Sequence, residues 1–225
     1  MTIIRVAIEA VAKRAFASAV DWPGWSRSAK SRDLAIEALL AYQERYARVA
    51  QVAGMLLPRG TLEVHVDEEA DGGAATEFGV PGAIAEADRE PLDVVEAARR
   101  SNLVAAAWRD FDAIAAAAPE ALRKGPRGGG RDRTKVVEHV VLSDHGYCRE
   151  LGLRLPAPDP ADAASVAAMR DAMLEVLRRP SDGSPIEKRW PARYAHRRIA
   201  WHALDHAWEI EDRDPRNQPP PVEAG

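Results

Sequence analysis

The hydrophobic positions in the first 82 residues follow a period of two, then a helical period, then a period of two again. Apolar side chains alternate in "RVAIEAVAKRAFASAV", which predicts two short strands, and in "GTLEVHVDEEA", which predicts a third. The stretch between them, "SRDLAIEALLAYQERYARVAQVAGM", has helical spacing, with Ser31 as its N-cap. The Pro-Gly turn in "DWPGW" ends the second strand. We therefore expect a small sheet-plus-helix unit over residues 1–82, with a further short strand at residues 76–80.

After residue 82 the pattern becomes helical and rich in alanine. It predicts four helices, the first of which is either continuous or broken near Ser101. The second helix has Thr134 as N-cap and follows a basic, glycine-rich loop, and the last helix runs from about Arg189 to Arg213. The polar, proline-rich residues 214–225 predict a disordered tail. The predicted fold class is α+β, with a small N-terminal unit followed by a four-helix bundle over residues 83–213.

Composition excludes several classes of protein. The chain has 225 residues, of which 46% are hydrophobic and 29% are charged, an ordinary mixture for a globular protein. No apolar run reaches the roughly 18 to 20 residues of a membrane span, and the N-terminus lacks the features of a signal peptide, so we expect a cytoplasmic protein without a membrane partner. The net charge of -4 argues against a nucleic-acid partner. The single cysteine, Cys148, excludes an internal disulfide and a Cys-x-x-Cys zinc site.

Two histidines four residues apart in "RRIAWHALDHAWEIEDR" are the strongest chemical signal in the chain. A helix turns about 100° per residue, so His202 and His206 project from the same side, one turn apart. They share a stripe with Ile199, Ala203 and Ile210, which indicates that they face the bundle interior. Two buried imidazoles without partners cost desolvation, and a divalent cation bound to the neutral nitrogens removes that cost.

A third ligand must come from a facing helix, and "KVVEHVVLSDHGYCREL" offers two histidines. His139 and His145 point about 120° apart, so only one of them can join the pair. His139 lies on the apolar face of its helix, whereas His145 is expected to be solvated. We therefore predict a metal site of His139, His202 and His206, with positions left open as in a catalytic centre.

The spacing alone leaves open that these histidines only pack in the core. An H-x-x-x-H pair is a weak signal, and Ala203 stands where a metalloprotease motif has glutamate. If a metal binds, imidazole ligands suit several transition metals, and our first choices are Zn or Ni, with Fe as the alternative. Glu138 and Asp205 stand next to ligand positions and are candidates to hydrogen-bond an imidazole.

The two histidine segments together resemble a known family. "VVEHVVLSDHGYCRELG", followed some fifty residues later by "RRIAWHALDHAWEIEDR", resembles the DinB-like (DinB/YfiT) superfamily of four-helix bundles, over roughly residues 90–213. The resemblance places that family's three metal ligands on His139, His202 and His206. One departure is Asp144, which stands where many members have glutamate.

The same resemblance implies a thiol-dependent reaction. Characterised members are transferases that use bacillithiol, mycothiol or glutathione, and a mycothiol-dependent maleylpyruvate isomerase. We therefore expect a metal-dependent transferase or isomerase in which a low-molecular-weight thiol attacks a small electrophilic substrate. A metal with open positions favours the thiolate, which is the nucleophilic form of a thiol. Catalytic and thiol-binding residues are not assigned.

The N-terminal unit has a second, shorter resemblance. "KRAFASAVDWPGWSRSAKSRDLAIEALLAYQERYA" is similar to HicB-like antitoxin domains in its order of strand, turn, strand and helix, over about residues 4–66. This resemblance implies an accessory or dimerising unit, so a homodimer is one expected state. It also leaves open an alternative function, in which the protein is a non-enzymatic interaction module that binds a protein or nucleic acid. In that case the bundle is a scaffold and its histidines are structural.

Overall fold

The computed structural model describes residues 2–125 and 129–217, and the fold of this part is α+β, as the sequence predicts. The described strands are β1 Thr2–Val11, β2 Arg14–Ala19, β3 Ser26–Ala29 and β4 Leu62–Asp71. The described α-helices are α1 Arg32–Ala41, α2 Gln43–Val52, α3 Ala74–Glu77, α4 Val94–Ala117, α5 Arg133–Glu150, α6 Ala163–Leu177 and α7 Ala192–Arg213. No helix in these two ranges is both long enough and apolar enough to cross a membrane.

The four strands form one sheet in the order β3-β2-β1-β4. β1 pairs antiparallel with β2 and parallel with β4, and β2 pairs antiparallel with β3. The predicted alternation is present in β1, where Ile4, Val6 and Ile8 point into the core. β3 was not predicted, because its four polar and small residues carry no alternation. Its position depends on pairing with β2, supported by a buried 2.6 Å hydrogen bond from the Ser26 hydroxyl to Ser18.

Two predictions in the N-terminal region are wrong in detail. The single helix expected after Ser31 is interrupted at Tyr42, which ends α1 and precedes α2, although Ser31 does cap α1 by accepting from the Leu34 amide. The short strand expected at residues 76–80 is absent from the structure, because Thr76 and Glu77 belong to the short helix α3 and residues 78–79 form a turn. The Thr76 hydroxyl explains this, since it donates to Glu9 at 2.8 Å and accepts from the Gly73 amide at 3.0 Å.

The helix ends also differ from the sequence prediction. α4 is continuous, because Ser101 points into the core and binds a histidine of α7 rather than interrupting the helix. The N-cap position of α5 is Asp132 and not Thr134, whose hydroxyl donates to Glu120 at 2.7 Å. α7 begins at Ala192, directly after Pro191, a residue suited to a helix start.

The first residues of the predicted disordered tail have a defined structure. Residues 214–217 are ordered, because Pro215–Asn217 form a 3-10 turn and the buried Asp214 carboxylate accepts from the Arg216 guanidinium at 2.6 Å. The rest of the predicted tail, residues 218–225, lies outside the described residues, as do residues 126–128 of the basic loop.

One hydrophobic core crosses the boundary predicted near residue 82. The buried Trp25 indole stacks on Tyr46, with ring centres 5.3 Å apart, and donates to the Leu39 carbonyl at 2.9 Å, which fixes α1 and α2 to the sheet. The adjacent Gly24 has φ +93° and lies so close to α7 that a Cβ atom there would come within 2.9 Å of the Ala200 Cβ. Glycine is required at this turn by both its backbone angle and its surroundings.

The long helices α4, α5 and α6 all contact α7. Contacts run from α4 to α7, from α7 to α5, from α5 to α6 and from α6 back to α4, so the helices form a closed ring of neighbours. α7 also contacts the sheet through the Trp201 ring, whose edge meets Phe16 at 6.1 Å between ring centres. α7 therefore contacts the three other long helices and the sheet, and it carries the predicted histidine pair into the interior.

Candidate metal centre

The structure brings together the three histidines that the sequence predicts as ligands. His202 and His206 lie one turn apart on α7, and His139 approaches them from α5, which packs against α7. One ring nitrogen from each histidine lies within 4.8 Å of those of the other two, close enough for all three to bind one metal ion. The three ring centres are 4.8–5.1 Å apart.

The distance between His139 and His202 fits a metal site. Their Nε2 atoms face each other at 3.2 Å. Two nitrogens that each lie about 2.0–2.1 Å from a tetrahedral metal are about 3.3–3.4 Å apart, so this pair needs little movement to share an ion. In the absence of an ion, one Nε2 must carry the proton that the other accepts, because two unprotonated nitrogens would repel.

Glu209 orients the third histidine. Its Oε2 accepts a hydrogen bond from His206 Nδ1 at 2.7 Å. Because a carboxylate can only accept this bond, Nδ1 carries the proton, and Nε2 is the ring nitrogen that can bind a metal. The other carboxylate oxygen accepts from Arg213 at 2.6 Å, and Arg213 also binds the carbonyls of Arg123 and Arg131 in the basic loop. This chain of contacts fixes both the rotamer and the tautomer of His206.

Glu209 is not among the residues that the sequence predicts to hydrogen-bond an imidazole, which are Glu138 and Asp205. In the structure Glu138 accepts from Lys135 at 2.6 Å, and Asp205 accepts from Arg27 at 3.0 Å, so neither has a hydrogen bond to a triad imidazole. The signal that could have found Glu209 is its i,i+3 spacing from His206, which places the two side chains next to each other on a helix.

His202 and His196, six residues apart on α7, have opposite hydrogen-bond environments. His196 is fully buried and saturated, because Nδ1 donates to the Ala192 carbonyl at 2.7 Å and Nε2 accepts from the Ser101 hydroxyl at 3.1 Å. His202 is 5% exposed, yet its Nδ1 has no hydrogen-bond partner among the described residues and its Nε2 faces only another imidazole. Such an unsatisfied buried imidazole is unfavourable unless it binds something else.

The protonation state of the triad suits metal binding. Burial lowers the pKa of His139 to about 4, with further lowering from His206 and Arg131. Burial also lowers the pKa of His202 well below its usual value, and the charges of His206 and Arg198 act in the same direction. Both imidazoles are therefore neutral at pH 7, and neutral imidazole is the form that binds a metal.

The other histidines among the described residues lie outside the triad. His145 is half-buried rather than solvated, because its Nε2 hydrogen-bonds the Leu155 carbonyl at 2.9 Å. His65 is on β4 and lies 3.7 Å from an Asp67 oxygen. Asp144, the residue that departs from the DinB-like pattern, is buried against Arg170 of α6, and burial raises the pKa of its carboxyl to about 7.

Aromatic side chains and one arginine line the triad on its N-terminal side along α7. The Tyr147 ring meets the His202 ring edge-on with centres 5.8 Å apart, and the Trp201 ring lies 6.1 Å from the same histidine. Arg198 stacks on both aromatic rings, with its guanidinium carbon 5.4 Å from the centre of Tyr147 and 4.7 Å from that of Trp201. The site thus combines three converging imidazoles with an adjoining aromatic and cationic surface.

Cys148 is unsuited to act as a nucleophile in this site. The residue is 1% exposed, and burial raises the pKa of its thiol to about 11, with the nearby Asp144 acting in the same direction. At neutral pH the thiol stays protonated, and the thiol form reacts poorly.

The comparisons with known proteins find no match: no family model, no curated protein and no solved structure matches this chain.

Proposed function

We propose that this protein is a divalent-metal-dependent enzyme of the DinB-like type, a transferase or isomerase in which a low-molecular-weight thiol, such as mycothiol or bacillithiol, attacks a small electrophile. One observation carries the proposal: His139, His202 and His206 converge within 4.8 Å, and the buried His202 has no hydrogen-bond partner on Nδ1 among the described residues. The closed ring of α4, α5, α6 and α7, with histidines on α5 and α7, supports the DinB-like bundle that the sequence resembles. The cytoplasmic location expected from the sequence stays a prediction.

The residues present fit a metal ion of the first transition series. Three imidazole nitrogens are a typical ligand set of a catalytic zinc site, and this set leaves a further position for substrate or water. Imidazole also suits Ni and Fe, so Zn or Ni is the first expectation and Fe the alternative. When bound, the metal supplies a positive centre that holds an external thiol in its thiolate form at neutral pH.

The chain's own residues prepare this site. His139 and His202 stay neutral because they are buried, and Glu209 keeps the Nδ1 proton of His206 in place, so all three lone pairs can be directed at one point. Tyr147 and Trp201 cover one side of His202 with apolar surface and limit the access of water. The protein need not supply a thiol, since Cys148 is buried and protonated.

Thiol consumption measures this function directly. The Zn- or Ni-loaded protein is incubated with glutathione, cysteine or mycothiol and a model electrophile, chlorodinitrobenzene or monobromobimane, and the loss of free thiol is followed. We expect metal-dependent consumption that persists in Cys148→Ala and is lost in His206→Ala. Consumption that disappears in Cys148→Ala and survives in His206→Ala would contradict the proposal, because the protein's own thiol would then be the nucleophile.

A second candidate is the interaction module. It is favoured by the exposed apolar side chains of Leu56 and Phe78, each 86% exposed, near the N-terminal sheet. This candidate predicts a partner that co-purifies with the wild-type protein and is lost in a Leu56→Ser/Phe78→Ser double variant. It also predicts no thiol-dependent reaction.

A further inference from the structure

We propose that Arg198 is the binding residue for a carboxylate on the ligand that occupies the metal site, so that the thiol or the electrophile of the reaction is an anionic molecule. This inference rests on the proposed function, because the ligand's other end is taken to lie at the histidine triad.

Arg198 lies on the histidine line of α7. It precedes His202 by four residues, so its side chain leaves the helix one turn before the pair, on the same side. It reaches the triad's surroundings, because the Tyr147 ring on which it stacks also contacts the His202 ring. The guanidinium therefore lies at one end of the site and not on a distant surface.

The hydrogen-bonding state of Arg198 differs from that of other α7 arginines. Arg193 donates to two backbone carbonyls, Arg197 binds Asp88, and Arg213 binds Glu209. In contrast, Nη1 of Arg198 is buried and has no hydrogen-bond partner among the described residues. A buried cationic nitrogen without an acceptor is costly, and that cost is removed when a ligand supplies the acceptor.

The stacking of Arg198 indicates the chemistry of the missing partner. The guanidinium carbon lies over the Trp201 and Tyr147 rings, which offer no conventional hydrogen-bond acceptor, so the partner of the N–H groups must come from elsewhere. A carboxylate matches the planar edge of a guanidinium with two parallel hydrogen bonds. Since Arg198 and His202 are one turn apart on α7, we take a fitting thiol to be short, with its sulfur and its carboxylate only a few bonds apart.

The test uses Co²⁺-loaded protein and two thiols that differ in charge. Binding of mercaptopropionate and of its uncharged analogue mercaptopropanol is followed by the change in the visible absorption of Co²⁺, which needs no turnover. We expect mercaptopropionate to bind at least about tenfold more tightly, as a charge-assisted pair to a partly buried guanidinium allows. Arg198→Gln should bring the two affinities to within about twofold while the Co²⁺ content stays that of the wild type.

Two further variants keep the test decisive. Arg198→Lys retains the charge without the planar fork and should keep only part of the preference, and it replaces Arg198→Gln if that variant fails to fold. Arg179→Gln removes the same charge from an exposed position on another part of the chain and should keep the full preference.

The outcomes separate this inference from the proposed function. Equal affinities of the two thiols for wild-type protein that binds Co²⁺ would overturn the role of Arg198 and leave the metal site intact. A preference that is lost equally in Arg179→Gln would also overturn it, because net charge alone would then explain the effect. Failure to bind Co²⁺ would overturn the proposed function and the inference with it.

Discussion

Replacing Glu209 by glutamine should weaken metal binding without removing a ligand. Glu209 accepts the His206 Nδ1 proton at 2.7 Å and is held on its other oxygen by Arg213 at 2.6 Å. The hydrogen bond to His206 and the charge of Arg213 lower the pKa of Glu209 to about 2 against the opposing effect of burial, so the group is a full carboxylate at neutral pH. Glutamine has nearly the same shape but no charge, so the variant isolates the electrostatic part of the contact.

The expected magnitude follows from that geometry. A carboxylate that hydrogen-bonds a ligating imidazole raises the basicity of the ligand and fixes its orientation, and loss of such a partner costs about 10- to 100-fold in metal affinity. That range corresponds to about 1.4–2.7 kcal/mol of binding free energy. We therefore expect the Zn²⁺ dissociation constant of Glu209→Gln to rise by about 10- to 100-fold, whereas loss of a ligand in His206→Ala should have a larger effect.

Competition with a chromophoric zinc chelator at pH 7 measures these dissociation constants. Glu138→Gln is the matched control, since it removes the same charge from the residue next to His139, where the structure shows a surface pair with Lys135. Glu138→Gln should bind Zn²⁺ like the wild type. Equal affinities for wild type and Glu209→Gln, or equal weakening by both variants, would refute the role assigned to Glu209.

Three stability predictions follow from the fold. Gly24→Ala should lower the free energy of unfolding by about 2–4 kcal/mol in urea titrations, because alanine is strained at φ +93° and its Cβ would crowd Ala200. Arg197→Met should cost about 3–5 kcal/mol in the same assay, because it leaves the buried Asp88 carboxylate unpaired. Asp144→Asn should flatten the pH dependence of stability. Burial raises the pKa of the Asp144 carboxyl from 3.8 to about 7 in the folded protein, so between these pH values the native state binds more protons than the unfolded state. The free energy of unfolding of the wild type therefore falls as the pH rises from 4 to 7, and the variant lacks this fall.

Each of these predictions has its own control or contrary result. Gly54 has φ +77°, but no atom lies within 4 Å of the Cβ that Gly54→Ala would add, so this variant should show the backbone cost alone. An equal loss of unfolding free energy in both glycine variants would exclude crowding at Gly24. Lys135→Met breaks an exposed pair and should cost at most about 1 kcal/mol, and a cost as large as that of Arg197→Met would contradict the argument from burial. If the stability of Asp144→Asn follows that of the wild type in parallel from pH 4 to pH 7, burial does not raise this pKa.

Regular patterns made part of the fold predictable from the sequence. The alternation of apolar residues indicates β1, β2 and β4, and the helical period indicates the four long helices, because both patterns depend on local geometry and one buried face. The strand β3 has no such pattern, since its residues are placed by pairing with β2 and not by their own preference. Thr134 resembles a helix cap in sequence but binds Glu120, a residue fourteen positions away that local reasoning does not include.

In the metal site, too, local helix geometry was predictable from the sequence, whereas tertiary contacts were not. The helix fixes the directions of His202 and His206, and the apolar face around His139 was sufficient to choose it over His145. Which carboxylate supports the triad was not predictable from adjacency in the chain: Asp205 is adjacent to His206 but pairs with Arg27 of β3, an element the sequence did not reveal. Whether Arg198 has a protein partner likewise depends on tertiary neighbours, so its unpaired nitrogen could be recognised only from the structure.

Elemental analysis of the untagged protein tests the central claim most directly. The wild type is measured after incubation with Zn or Ni and removal of the excess, beside the His202→Ala/His206→Ala double variant and a His145→Ala control that removes a histidine outside the triad. We predict about one metal ion per chain in the wild type and in His145→Ala, and none in the double variant. No bound metal in the wild type, or equal metal content in the wild type and the double variant, would contradict the metal centre and with it the proposed enzyme.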